Sequence, residues 1–329
     1  MDQRITRKRH RNKKYNTKRQ IRFNNKTLRK PFIKLNCSPK NKKTDYTCYS
    51  DDDLYKLRDM WNARHPDRPI KTKNTKKIWE QLKEYYATTC NKESCWVRQM
   101  TKNTKLEKEL LDAFAPESPE DWKKNPNEWL SSLDILKVMN QYEKKYKCFD
   151  FLGPSPIDYD THKLYGECVW EELCHFNLAE HIKKGHNKIG VIFNLDPHYK
   201  GGSHWVSLFI DIENKFIFFF DSADNPIPPE IWQKYANRDP LPLVNRIMKQ
   251  GMDLDRPIHF RLYNNRGHAR QRSNTECGMY SLFFIITMLT GETPFSKKQL
   301  SIKGRRHLFL KKRVPDEWML KFRKIYFND

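Results

Sequence analysis

A cysteine at position 277 stands in the string Gln271-Arg-Ser-Asn-Thr-Glu-Cys277-Gly278-Met-Tyr, ahead of the apolar run from Ser281 to Leu289. Gly278 and that run predict a helix that begins at the thiol. A helix N-terminus favours thiolate, and so does a neighbouring imidazolium. Ser203-His204-Trp205 supplies an imidazole, and Asp221, seventeen residues after His204, supplies a carboxylate. The chemistry open to this set is nucleophilic attack on an acyl carbon: a thiolate attacks, an imidazole moves the proton, and an acid orients the ring. Gln271, six residues before the thiol, offers a side-chain amide to the developing oxyanion. The backbone N–H of Cys277 would be the second donor. Singly, each residue has a plainer reading. A buried cysteine before a helix is usually a small core hydrophobe, and an aspartate at a strand end is usually a turn or cap. Types, order and spacing together point to a cysteine protease.

These side chains need a frame. Lys188–Leu195 is a nearly continuous apolar run, and His204–Asp211 and Phe216–Phe220 follow, parted by Ile212-Glu-Asn-Lys215. This reads as a strand followed by a tight hairpin. If Glu213-Asn214 is its two-residue turn, Asp221 faces Val206 and His204 lies two residues further along the same face. Imidazole and carboxylate then meet at the open end of the hairpin. A further strand is expected over Pro257–Tyr263. Helices are expected over Leu133–Tyr146, Val169–Ile182 and Trp318–Tyr326. Upstream, Leu54, Leu57 and Trp61, then Ile78, Leu82 and Tyr85, recur at helical spacing. A third helix is expected over Lys105–Phe114. The Pro-rich segments Ala115–Pro119 and Asn125–Asn127 mark a linker. The fold class is therefore α+β: a mixed or antiparallel sheet flanked by helices, with a helical module before it. The expected division is a basic arm over 1–43, an accessory helical domain over 44–118 and a catalytic domain over 119–329.

Net charge is +23, and residues 1–43 hold 17 Lys and Arg against one acid. Such an arm is expected to be disordered alone and to attract DNA or another polyanion. Its run Arg7–Lys14 also suits nuclear import. No apolar run approaches the ~20 residues of a membrane helix, and no secretory signal is expected. Eight cysteines are therefore expected to be free thiols of a reducing compartment. Cys37, Cys48, Cys90 and Cys95 lack the tight pairs of zinc folds. Cys168, Cys174, His175, His181 and His186 are read as part of an amphipathic helix. No metal and no cofactor are expected.

From about Asn127 onward the chain resembles the SUMO-protease family of cysteine peptidases, whose clan includes adenovirus proteases and processing proteases of large DNA viruses. The resemblance rests on His204-Trp205, Asp221 and Gln271-x5-Cys277-Gly278, in the order His, Asp, Cys. It implies a papain-like-clan core with Cys277 as nucleophile, His204 as general base and acid, Asp221 as its orienter and Gln271 at the oxyanion. It also implies that Trp129, in Asn127-Glu-Trp129-Leu130, and Trp205 wall a channel passing only residues without side chains, hence Gly-Gly specificity. Glu276 stands where the family often has Asp, and keeps the charge. The helical module and the string Phe151-Leu-Gly-Pro-Ser-Pro-Ile-Asp158 resemble the large-virus enzymes. The expected function is an endopeptidase that matures viral structural precursors in the virion and host-cell cytoplasm. The alternatives are a protease that removes SUMO-like or ubiquitin-like proteins, acting in the nucleus or cytoplasm, and an inactive protease-fold adaptor that binds nucleic acid.

Overall fold

The run Phe216-Ile-Phe-Phe-Phe220 has no polar residue for either face, and such a strand must be covered on both sides. It is covered on both sides in the computed structural model of the chain, which describes residues 31–41, 44–102, 104–267 and 269–328. The sheet contains β1 (Phe149–Phe151), β2 (Ser155–Pro156), β3 (Lys188–Asn194), β4 (Trp205–Asp211), β5 (Phe216–Phe220) and β6 (Arg261–Asn264). Their order is β1-β3-β4-β5-β6, with β2 also on β3. β1 and β2 run parallel to β3, the β3-β4-β5 meander is antiparallel, and β6 is parallel to β5. The hairpin has the expected register, with Ser207 opposite Phe220 and Asp211 opposite Phe216.

The helices are α1 (Asp51–Arg64), α2 (Thr75–Tyr85), α3 (Glu93–Met100) and α4 (Lys105–Leu111), then α5 (Ser132–Lys145), α6 (Glu171–Cys174) and α7 (Leu178–Lys183). They are followed by α8 (Leu243–Met252), α9 (Cys277–Thr290), α10 (Ile302–Lys311) and α11 (Asp316–Tyr326). Strand alternation divides the apolar residues into two layers. Phe209, Phe218 and Phe220 pack with α9, joined by Phe309 of α10 and Phe322 of α11. Leu208, Ile210, Ile217 and Phe219 pack the other way, against Leu243, Val244 and Ile247 of α8. All of α9 is buried, as a helix apolar on every side must be. It stops at Gly291, whose φ of 73° is left-handed.

Helices α1 to α4 enclose their own apolar cluster, built on Leu54, Leu57, Ile78, Leu82 and Trp96. Ser50 and Asp53 close a capping box on α1. Four expectations fail, here and in the sheet domain. Residues 31–41, expected within the disordered arm, are packed: Leu35 is buried, Ile33 N–H donates to the Asn91 carbonyl at 2.7 Å, and Cys37 bridges Phe114. Residues 1–30, with most of the arm's charge, lie outside the described residues. The free thiols fail too: Cys37–Cys48, Cys90–Cys95 and Cys168–Cys174 are disulfide-bonded, leaving Cys148 and Cys277 free. Short loops bring these Cα atoms within 5.1 to 6.2 Å, a juxtaposition that spacing alone does not reveal. The single helix expected over 169–182 is α6 and α7, because the Asn177 side chain accepts the Glu180 N–H and starts a new helix. The strand expected from Pro257 begins at Arg261 instead, since Ile258 N–H is spent on the Gly251 carbonyl. None of the described helices is long and apolar enough to cross a membrane.

Candidate active site

His204 precedes β4 and Asp221 follows β5, so the hairpin register brings them to one edge. His204 Nε2 lies 2.6 Å from Asp221 Oδ1. A carboxylate can only accept, so Nε2 carries the proton and Nδ1 is left for other work. Asp221 is buried, and its oxygens also accept the N–H groups of Ala223 and Asn225, both at 2.8 Å. Burial pushes its pKa up, but His204 and the two N–H groups outweigh this and hold the carboxyl below its ordinary range. For His204, burial opposes protonation. Asp221 and then Cys277 favour it more strongly, and the imidazole is raised to about 9. Cys277 is the first residue of α9 and almost fully buried, and its thiol is among the groups that raise the imidazole. The arrangement can hold an imidazolium between a carboxylate and a sulfur at a helix N-terminus, the electrostatic setting of an activated thiolate.

Several residues that hold this geometry escaped the sequence reading. Asn265 clamps the Asp221 backbone, accepting its N–H at 2.9 Å and donating to its carbonyl at 2.7 Å. Asp316, at the start of α11, accepts the Arg272 and Ser273 N–H groups at 3.0 and 2.9 Å and so pins the loop before Cys277. Glu276 is buried, and Arg323 of α11 meets its two oxygens at 3.1 Å each. Arg323 also donates to the Glu128 carbonyl at 2.7 Å and lies over the Trp122 ring. One signal was available for this pair, because a carboxylate next to a buried helix start needs a cation. Neither Asn265 nor Asp316 had one.

Gln271 is tethered beside Asp221. Its N–H donates to the Ser222 carbonyl, its Oε1 accepts from the Ser222 hydroxyl at 2.8 Å, and its Nε2 donates to the Ser273 carbonyl at 2.6 Å. That uses one of the two amide protons. Trp129 and Trp205 line a common cleft of about 730 Å³. Trp129 is 37% exposed, whereas Trp205 is buried and donates its indole N–H to the Leu130 carbonyl at 3.0 Å. Gly278 fits the start of α9 against this wall. A Cβ there would meet Leu130 Cβ at 3.0 Å and Trp205 Cδ1 at 3.3 Å, which explains the Cys-Gly pair.

The sheet, the buried helix and the thiol, imidazole and carboxylate at their edge define a cysteine protease. Residues 186–324 match the Ulp1 protease family, C-terminal catalytic domain. It is 29% identical over 280 residues to R355 of Acanthamoeba polyphaga mimivirus, named as a thiol protease, covering 79% of this chain and 85% of that one. It is 26% identical over 278 residues to the cysteine protease S273R of African swine fever virus, covering 80% and 92%. The crystal structure of the African swine fever virus pS273R protease has the same fold. It superimposes with a TM-score of 0.58 at 22% identity, over 89% of this chain and 95% of that one.

Proposed function

We propose that the chain is a viral-type thiol endopeptidase that matures structural precursor proteins by cleaving after Gly-Gly or similarly small residues. Cys277 is the nucleophile, His204 the general base and acid, Asp221 the group that orients His204, and Gln271 an oxyanion donor with the Cys277 N–H. The 2.6 Å pair of His204 and Asp221, with a thiol at the first residue of α9, carries the reading. The thiolate adds to the scissile carbonyl carbon, and the oxyanion meets the two N–H donors. Imidazolium Nδ1–H protonates the departing amine, and water activated by the same nitrogen hydrolyses the thioester. Trp129 and Trp205, on one cleft, support a channel that admits glycine and excludes side chains. The relatives from mimivirus and African swine fever virus support the viral setting; action in the virion and host-cell cytoplasm is part of the same proposal. The basic residues of 1–43 are assigned to DNA or another polyanion. A second reading, release of SUMO-like proteins, is favoured by the name "SUMO-1 cysteine protease" borne by S273R of other African swine fever virus isolates.

Comparison of new protein N-termini made by the active enzyme and by Cys277→Ala tests the substrate. Cleavage after Gly-Gly in linear precursors is expected. Release only of folded ubiquitin-like modifiers from lysines would shift the assignment to the second reading.

The raised pKa of His204 sets a pH limit. An imidazolium favoured in the folded protein is fully present below the ordinary value of 6.5 and is lost as pH rises through about 9. Stability from the Asp221 pair fades over the same window. The alkaline limb of kcat/KM is expected near 9 and should move down toward about 6.5 in Asp221→Asn, where the carboxylate charge is gone. A limb that does not move would remove Asp221 from this role.

A further inference from the structure

The segment between β2 and β3 has little apolar material to hold it. Leu164 and Tyr165 are 99% and 93% exposed. It nevertheless folds into a defined knuckle: Lys163 N–H donates to the Glu167 carbonyl at 2.8 Å, Val169 N–H to the Thr161 carbonyl at 2.9 Å, and His162 and Cys168 face each other across the bridge. Helix α6 follows and delivers Cys174 as its last residue, with His175 as its cap. His162, Cys168, Cys174 and His175 thus come from fourteen residues, in two donor groups that share Cys168: one with His162 and Cys174, the other with Glu171 and His175. The ligand atoms of His162, Cys168 and Cys174 lie within 4.8 Å of one another. Both His162 Nε2 and His175 Nε2 are 3.8 Å from Cys168 Sγ.

His162 Nε2, set against a buried sulfur, meets only a weak acceptor in a disulfide, whereas His175 Nε2 also meets the Glu171 carboxylate at 3.1 Å. A thiolate-bound cation gives His162 a strong partner. Tetrahedral zinc, with Zn–S of about 2.3 Å and Zn–N of about 2.0 Å, sets sulfur and nitrogen roughly 3.5 Å apart. Among the described residues, the Cys37–Cys48 and Cys90–Cys95 pairs join no such donor group. Glu171 accepts the Cys168 N–H at 2.7 Å and holds His175 Nε2 at 3.1 Å, the same nitrogen that would face a cation, so His175 must turn from this carboxylate to ligate. The same segment borders the substrate cleft, where Lys163, Val169 and Trp170 join Trp129 and Trp205 in the lining.

We propose that His162, Cys168 and Cys174 form a zinc site in the reduced protein, with His175 turning from Glu171 to supply the fourth ligand, and that the ion holds the cleft wall carrying Lys163, Val169 and Trp170. The Cys168–Cys174 bond is opened by thiol reductant, with two reductant thiols becoming a disulfide as two electrons and two protons pass to the protein sulfurs. Zinc then replaces both thiol protons.

The test uses the full chain bearing Cys277→Ala, so the readout is independent of proteolysis and of the proposed function. The protein is reduced, exposed to zinc, dialysed and assayed for metal. About one zinc per chain is expected, falling to about a tenth or less in Cys168→Ser/Cys174→Ser. Affinity should drop roughly 10- to 100-fold in His162→Ala. A Cys37→Ser/Cys48→Ser control should keep its zinc. Should the serine variant fold poorly, cobalt(II) in the otherwise intact protein should give thiolate charge-transfer absorption. Reduced protein that retains no zinc, or that retains it equally without Cys168 and Cys174, overturns the proposal.

Discussion

Alanine at Cys277 is expected to lower kcat/KM by on the order of 10⁵ or more, and alanine at His204 by nearly as much, with the double variant no worse than either single one. The reason is that the two residues act as one unit. The sulfur attacks as thiolate only while the imidazole holds its proton, and the imidazole has no proton to move without the sulfur. His204 is poised for this by Asp221 at 2.6 Å and by Cys277, which together raise it to about 9 against the burial that opposes its charge. Single-turnover cleavage of a Gly-Gly peptide separates the chemical step from binding. Losses that add in the double variant would show two independent contributions and contradict a shared nucleophile.

Arg323→Ala is expected to destabilise the protein by about 3–5 kcal/mol, a large part of the stability of an ordinary domain. The arginine lies 47 residues from its partner in sequence and meets both oxygens of buried Glu276. Removing it leaves a carboxylate in the core at the first turn of α9, and leaves the Glu128 carbonyl without that donor. The loss falls next to Cys277, so activity should fail together with stability. Glu276→Gln in combination with Arg323→Met should recover most of the stability, because the buried charge is then gone from both sides. Denaturant unfolding of the two variants and the parent protein measures this. Unchanged stability in Arg323→Ala would mean that the ion pair is not what secures the start of α9.

The hairpin explains why so much of the site was legible. Strand alternation has a period of two, so a turn at Glu213-Asn214 was enough to bring His204 and Asp221 to one edge, and the observed register agrees. The apolar run after Gly278 marked a buried helix because its other faces had no polar residues to offer. What stayed hidden depends on distant or very local geometry. Asn265 and Arg323 act across 44 and 47 residues of sequence, through contacts that no periodicity records. The cysteine pairs needed loop shape as well as spacing, and His162 joins Cys168 only because a knuckle folds them together. Residues 31–41 look like more of the basic arm by composition, yet Leu35 and Cys37 tie them to the helical module.

The most direct measurement is site-mapped capture of the nucleophile. A Gly-Gly peptide ending in a thiol-reactive electrophile is offered to the full chain, and the adduct is located by mass spectrometry of the digest. Two cysteines are free to compete, the buried Cys277 and the half-buried Cys148. A single adduct on Cys277 is expected, with labelling strongly slowed in His204→Ala and absent in Cys277→Ala. An adduct on Cys148, or continued cleavage of the unmodified peptide by Cys277→Ala, would contradict it.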